Sequence, residues 1–249
     1  MMWRHSFFIL AAFLLCILFP AQGFAAQDRA EVEAGVRADV AKDLALPWQP
    51  ESLAARSCLD GRTAADFPGD VVEYWVNLEC PYCGIVEPML AQRRDPDVCI
   101  VARHVPTREY SESMKKALSY EALKRFSVNG ANTFWDKVIP KTPQALPLPY
   151  EASLLLAFQE AVIDAEAFGE SLGNEAASIV NQDITAARGR ISVTPTWVLA
   201  GVRFPACDFT AAQFPVALEL AKKARDGDKD ALERLVTVIT NALMDEPML

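Results

Sequence analysis

Histidine is nearly absent: 249 residues carry two, His5 and His104. Cysteine is modest at six, and only Cys80 and Cys83 stand close together. A zinc site usually takes four nitrogen or sulfur ligands. With one histidine in a leader segment and no second cysteine pair, no metal is expected. Positive charge is also short, at 24 Lys and Arg against 33 Asp and Glu, and no basic patch stands out. Nucleic acid is therefore not an expected partner. Repeats and low-complexity tracts are missing, as are long apolar runs beyond the N-terminus.

The one apolar run, from Phe7 to Phe19, follows Arg4 and His5 and leads to Pro20 and "GFAA". It is too short to span a bilayer comfortably. Residues 1–25 read as a signal peptide cleaved near Ala25, with Gly23 and Ala25 at the two small positions. A retained anchor is the alternative; a lipid on Cys16 is disfavoured because "FLLC" lacks small residues before the cysteine. The mature protein is expected to be soluble and periplasmic or otherwise exported.

Export changes how cysteines are read, because thiols in an oxidising compartment pair. Cys16 leaves with the leader, and Cys58, Cys80, Cys83, Cys99 and Cys207 remain, an odd set that leaves one thiol over. Cys58, Cys99 and Cys207 allow three pairings, and spacing does not choose among them. A structural disulfide among them is favoured over a second redox relay.

From Gln27 to Leu46 the chain is charged and helical in character, with Val32, Val36, Val40 and Leu44 on one stripe. That stripe suits docking on the main domain; a dimerisation arm is the alternative. "DVVEYWVNL", Asp70 to Leu78, reads as a buried strand, and "DVCIVARHVP", Asp97 to Pro106, as the next. Pro81 is well placed for the first turn of a helix running toward Arg93. Cys80 and Cys83 thus sit at the strand-to-helix turn of a βαβ unit.

Helical spacing returns at Met114, Ala117, Leu118, Ala122 and Phe126, and again from Leu154 through Phe158 and Val162 to Ala165. "IPKTPQALPLP" connects these stretches, and Asn174 is expected to cap a further helix ending near Arg188. "VTPTWVLAGVRF" reads as a hairpin turning at Ala200 and Gly201, with Pro195 opening its first strand. Helices at 211–225 and 229–244 close the chain.

Two thiols two residues apart can close into a small disulfide ring and reopen. Cys80 is the expected nucleophile, because a helix N-terminus favours its thiolate, and Cys83 the resolving thiol. A purely structural bridge over so small a loop adds little stability.

These residues resemble the DsbA-like branch of the thioredoxin-fold disulfide oxidoreductases. "VVEYWVNLECPYC" looks like that family's first core strand and active-site turn. "ARHVP" looks like its next strand, and "DAEAFGESL…ARGRISVTPTWVLAG" like its last helices and cis-proline strand. The resemblance implies an α/β, thioredoxin-like fold with an inserted helical domain. The implied parts are an N-terminal helical extension over 26–67, a thioredoxin-like domain over 68–107 and 190–249, and a helical insertion over 108–189. It implies a cis bond between Thr194 and Pro195, beside the pair, with neighbouring backbone binding the substrate chain.

Two departures stand out. The family's buried acid, six residues before the first cysteine, is replaced by Tyr74. Glu73, one residue further back, points to the other sheet face. Glu79 adjoins Cys80, where a negative charge would disfavour thiolate, and its side chain is expected to face solvent. Within the motif, Pro81-Tyr82 resembles glutaredoxins and DsbG-type proteins, whereas strongly oxidising DsbA carries Pro-His.

The expected activity is disulfide exchange with cysteine-containing protein substrates, DsbA-like. A DsbG- or DsbC-like isomerase or a reductase is the alternative, and a non-catalytic binding protein with an inert Cys80–Cys83 bridge is the rival from another class. No metal or organic cofactor is required, a membrane redox partner is expected to recycle the pair, and a homodimer is left open. His104 is expected to be packed or hydrogen-bonded, and Trp75, Trp135 and Trp197 to be core or groove aromatics.

Overall fold

The computed structural model describes residues 28–49, 53–84, 97–107, 112–141, 146–207 and 209–244. Valine and aromatic residues fill β1, Asp70–Val76, and everything after Asp70 in it is buried, as a central strand requires. Strand β2, Val98–His104, runs parallel to β1 with Asp70 opposite Val98 and Val76 opposite His104. On the other side of β1 lies β3, Thr196–Leu199, antiparallel, followed by β4, Val202–Pro205, giving the order β2-β1-β3-β4. Ala200 and Gly201 both take positive φ, 47° and 83°, which is the hairpin geometry that matches strand twist. Parallel β1 and β2 need a crossover. Residues 81–84 form a turn, and the rest of the stretch expected to be helical, toward Arg93, lies outside the described residues.

Helix α1, Arg29–Ala45, is capped by the Asp28 carboxylate, which accepts from the Ala30 amide at 2.9 Å. Its Val36 and Val40 are buried in the main core, with Val32 and Leu44 packed beside them. The stripe read from the sequence is therefore spent within the chain. Asp43, 4% exposed, accepts from the backbone and side chain of Arg203 and ties α1 to β4.

The segment after α1 runs along the outer edge of β2. Leu59 donates its amide to the Ile100 carbonyl at 2.8 Å, and Cys58 is disulfide-bonded to Cys99 with Cα atoms 5.2 Å apart. This bridge settles the pairing that the sequence left open; Cys207 is fully buried in the main core. Covering the edge also removes an exposed row of strand amides and carbonyls. Because the bridge spans 41 residues, replacing both cysteines with alanine should lower unfolding free energy by about 4 kcal/mol, read by urea titration without reductant. A loss under roughly 1 kcal/mol would mean that hydrogen bonds alone hold the segment.

Between β2 and β3 comes the helical block. It comprises α2, Ser113–Phe126; α3, Val128–Val138; α4, Tyr150–Glu160; α5, Ala165–Ser171; a π turn over Leu172–Ala176; and α6, Ala177–Ala187. Two expectations fail here. The helical pattern from Leu154 to Ala165 is interrupted after Glu160, leaving Val162 fully exposed. Asn174 caps nothing and lies inside the π turn. Asp164 is the cap instead, accepting from Ala167 N at 2.8 Å, and an aspartate serves as well as an asparagine at that position. Helices α7, Gln213–Arg225, and α8, Lys229–Leu243, close the fold near the limits expected. No helix among the described residues is long and apolar enough to cross a membrane.

A buried polar network joins block and sheet. Asp183 of α6, fully buried, accepts from Arg56 Nη1 and Nη2 at 2.9 and 3.1 Å, from Arg103 Nε, and from the edge-strand amide of His104 at 2.8 Å. Arg56 also donates to the Ala102 carbonyl at 2.9 Å. Glu121 of α2 meets His104 Nε2 at 2.9 Å and lies 3.7 Å from Lys124. Burial works against that carboxylate, yet Lys124, His104 and Arg56 hold its pKa below the usual carboxylate range. Thus His104 is packed and hydrogen-bonded, as read from the sequence.

Candidate redox site

The site is built where β1 ends. Asn77, 2% exposed, organises the turn: its Oδ1 accepts from the Glu79 amide at 3.0 Å and from Ser113 Oγ at 2.8 Å. Its backbone carbonyl accepts from the Cys80 amide at 3.0 Å, and the Cys80 carbonyl accepts from the Cys83 amide at 3.1 Å. These bonds place Cys80 at the mouth, 7% exposed, and bury Cys83 completely beneath it. Between them Tyr82 stands 59% exposed on the rim. Gly84 follows because nothing larger fits, since a Cβ there would collide with the carbonyl oxygen of Pro140 in the proline-rich connector.

The β3–β4 hairpin brings the second half. The Thr194–Pro195 peptide is cis, and the Cys80 thiol donates to the Thr194 carbonyl at 3.2 Å. Ala206 N donates to the Pro195 carbonyl at 2.8 Å, and Thr196 Oγ1 to the Val193 carbonyl at 2.8 Å, so the loop is fixed from both sides. The structure thus brings Cys80, Cys83, Thr194 and Pro195 together.

Beneath the pair lies Tyr74, fully buried. Its hydroxyl donates to the Cys83 carbonyl at 2.9 Å, and its ring lies 4.4 Å from that of Trp197. Burial, then the charge of an ionised Cys83 or Cys80, pushes the phenol pKa well above its usual value. Tyr74 therefore stays protonated at neutral pH, and its one hydroxyl hydrogen is given to the Cys83 carbonyl.

The two sulfurs are driven apart electrostatically. Cys80 is lowered from 9.0 to about 6, chiefly because the Cys83 thiol donates to its thiolate, against the opposing effect of burial. The Thr194 side chain and the amides of Tyr82 and Cys83 add further bonds to the ionised form. Burial pushes Cys83 well above the ordinary thiol range, and a charged Cys80 pushes it the same way. One sulfur is available as thiolate at neutral pH while its neighbour keeps its proton.

Glu73 lies on the other sheet face, bonded to Arg103 Nη1 at 2.8 Å, and burial raises its pKa. The Arg103 guanidinium sits 4.4 Å from the centre of the Trp75 ring. Trp75, Trp135 and Trp197 are all buried. Glu79 departs from expectation: it does not face solvent but turns onto Lys116, with Oε1 3.2 Å from Nζ. Sequence reading missed Lys116 and Asn77. The polar Asn77 at the end of an apolar strand was the one available signal.

No protein-family profile and no curated protein sequence matches the chain. Solved structures do. A linker-deleted mutant of ScsC from Proteus mirabilis aligns at 16% identity over 90% of this chain and 99% of that one, with a TM-score of 0.55. ScsC from the same organism in a transitional conformation aligns at 16% identity, covering 87% and 89% of the two chains, with a TM-score of 0.53. The thiol-disulfide exchange protein alpha-DsbA2 from Wolbachia pipientis aligns at 14% identity, covering 77% and 97%, with a TM-score of 0.50. The fold is thioredoxin-like, with a helical block set between its parallel and antiparallel halves.

Proposed function

We propose that this chain is an exported thiol–disulfide oxidoreductase whose Cys80–Cys83 pair exchanges disulfides with protein substrates. The observation that carries the reading is the unequal pair, with a rim cysteine whose pKa is about 6 and whose sulfur lies 3.2 Å from the Thr194 carbonyl, and a buried partner whose thiol resists ionisation. The likeness to a protein described as a thiol-disulfide exchange protein supports it. Export rests on the leader at residues 1–25, which lies outside the described residues.

In the reducing direction, the Cys80 thiolate attacks one sulfur of a substrate disulfide, forming a mixed disulfide and expelling the other substrate sulfur as thiolate. That thiolate takes the Cys83 proton. Cys83 then attacks Cys80 Sγ, closing the pair and releasing the second substrate thiolate; two electrons pass to the substrate. In the oxidising direction a substrate dithiol runs the same steps in reverse. Pro81 and Tyr82 form the rim that the incoming chain crosses, and the Thr194–Pro195 loop is its backbone partner.

A pKa of about 6 is less depressed than the roughly 3.5 of a strongly oxidising site and near the roughly 7 of thioredoxin. This favours an isomerase or reductase as the second reading. Equilibration with glutathione tests both: a potential near about −120 mV selects the oxidant, and one of about −200 mV or below selects the alternatives. A pair still closed below roughly −300 mV would make the bridge inert and the protein a binder. In the same samples, alkylation of Cys80 should rise with pH to a half-maximum near 6, since only thiolate reacts.

A further inference from the structure

We infer that the Glu79–Lys116 ion pair regulates the charge at Cys80: Lys116, from the helical block, neutralises the carboxylate of the residue immediately before the attacking cysteine and so keeps that cysteine's sulfur ionised. The inference rests on reading Cys80 as the attacking thiolate.

The Lys116 side chain is 5% exposed and that of Glu79 18%, so little solvent screens the pair. The second Glu79 oxygen, Oε2, is buried and has no hydrogen-bond partner among the described residues, so among them the carboxylate relies on Lys116. Glu112 stands further off, 4.0 Å from the ammonium. Glu79 and Cys80 are consecutive, and both their amides are tied to Asn77, so carboxylate and sulfur belong to one fixed turn. Ser113, on the same face of α2, bonds to Asn77 as well, which sets the register of the helix against that turn.

Among the described residues, the titratable and charged groups of this turn and of the elements tied to it are Cys83, Glu79 and Tyr82 on the turn itself, Tyr74 on β1, Lys116 on α2 and Glu112 at the N-cap of that helix. The hairpin contributes the Thr194 carbonyl and hydroxyl. An unpaired carboxylate would disfavour a second negative charge beside it, and an unpaired ammonium would favour one.

An ion pair that merely braced the turn would respond alike to loss of either member. A charge regulator responds with opposite signs. The test follows thiolate ultraviolet absorbance of the reduced protein against pH. Lys116→Met should raise the Cys80 midpoint by about half a pH unit or more, roughly a threefold fall in the thiolate-to-thiol ratio. Glu79→Gln should lower it, Glu79→Gln/Lys116→Met should return it toward wild type, and Lys116→Arg should leave it close to wild type and so confirm that charge rather than fit is read. Single variants that shift together, or not at all, would overturn the inference while leaving the proposed function standing. A wild-type protein with no thiol titrating below neutral pH would overturn both.

Discussion

Replacing Cys83 with alanine is expected to turn the protein into a covalent trap. Cys80 would still attack a substrate disulfide, because it is the sulfur at the mouth with the depressed pKa. The mixed disulfide would then lack the buried thiol that resolves it from within the site. An intramolecular attacker has a large effective concentration, so net reduction of a protein disulfide should fall at least about a hundredfold. Mixed disulfides should accumulate on non-reducing gels and disappear with reductant. Removing Cys83 also removes the hydrogen bond that most lowers Cys80, so its alkylation midpoint should rise from about 6. If the variant still reshuffles scrambled disulfides while losing net reduction, the isomerase reading gains, since reshuffling needs only the attacking sulfur. Turnover equal to wild type would remove Cys83 from the chemistry.

The second large effect lies away from the pair. Asp183→Ala should destabilise the protein by about 3–5 kcal/mol, the scale of breaking a buried charge pair. The loss would leave the guanidiniums of Arg56 and Arg103 without their shared carboxylate and the His104 amide of the β2 edge without its acceptor. Asp183→Asn should do little better, because its amide would present hydrogens to a guanidinium. Thermal and urea unfolding read the effect, and a shift under about 1 kcal/mol would show that the network relaxes around the gap. The Cys80 alkylation midpoint should not move in either variant, because Asp183 touches neither the turn nor the cis-proline loop.

What the sequence disclosed and what it hid divide along the range of the interactions. β1 and the hairpin carry their signals within a few residues, in the valine and aromatic run and in Ala200-Gly201. The pair, its turn and Pro195 were equally local. The Asp183 contacts join residues 127 and 80 positions apart, and no periodicity encodes them. Lys116 reads as one more charge on an amphipathic helix, and only folding shows that it reaches Glu79. Asn174 misled because asparagine suits many caps, while Asp164 had already started the helix. The Cys58–Cys99 bridge was one of three equal pairings until β2 and the edge segment were set side by side.

Gly84 adds a fifth letter to Cys-Pro-Tyr-Cys. The Pro140 carbonyl fills the space where any side chain at position 84 would begin. The pair is thus cast against a mould supplied by the connector, and the spacing of two cysteines describes only half of the impression. Grafting Cys-Pro-Tyr-Cys alone onto another scaffold would reproduce the letters without the recess that seats them; the transplantable unit is the pentapeptide together with its proline counterpart.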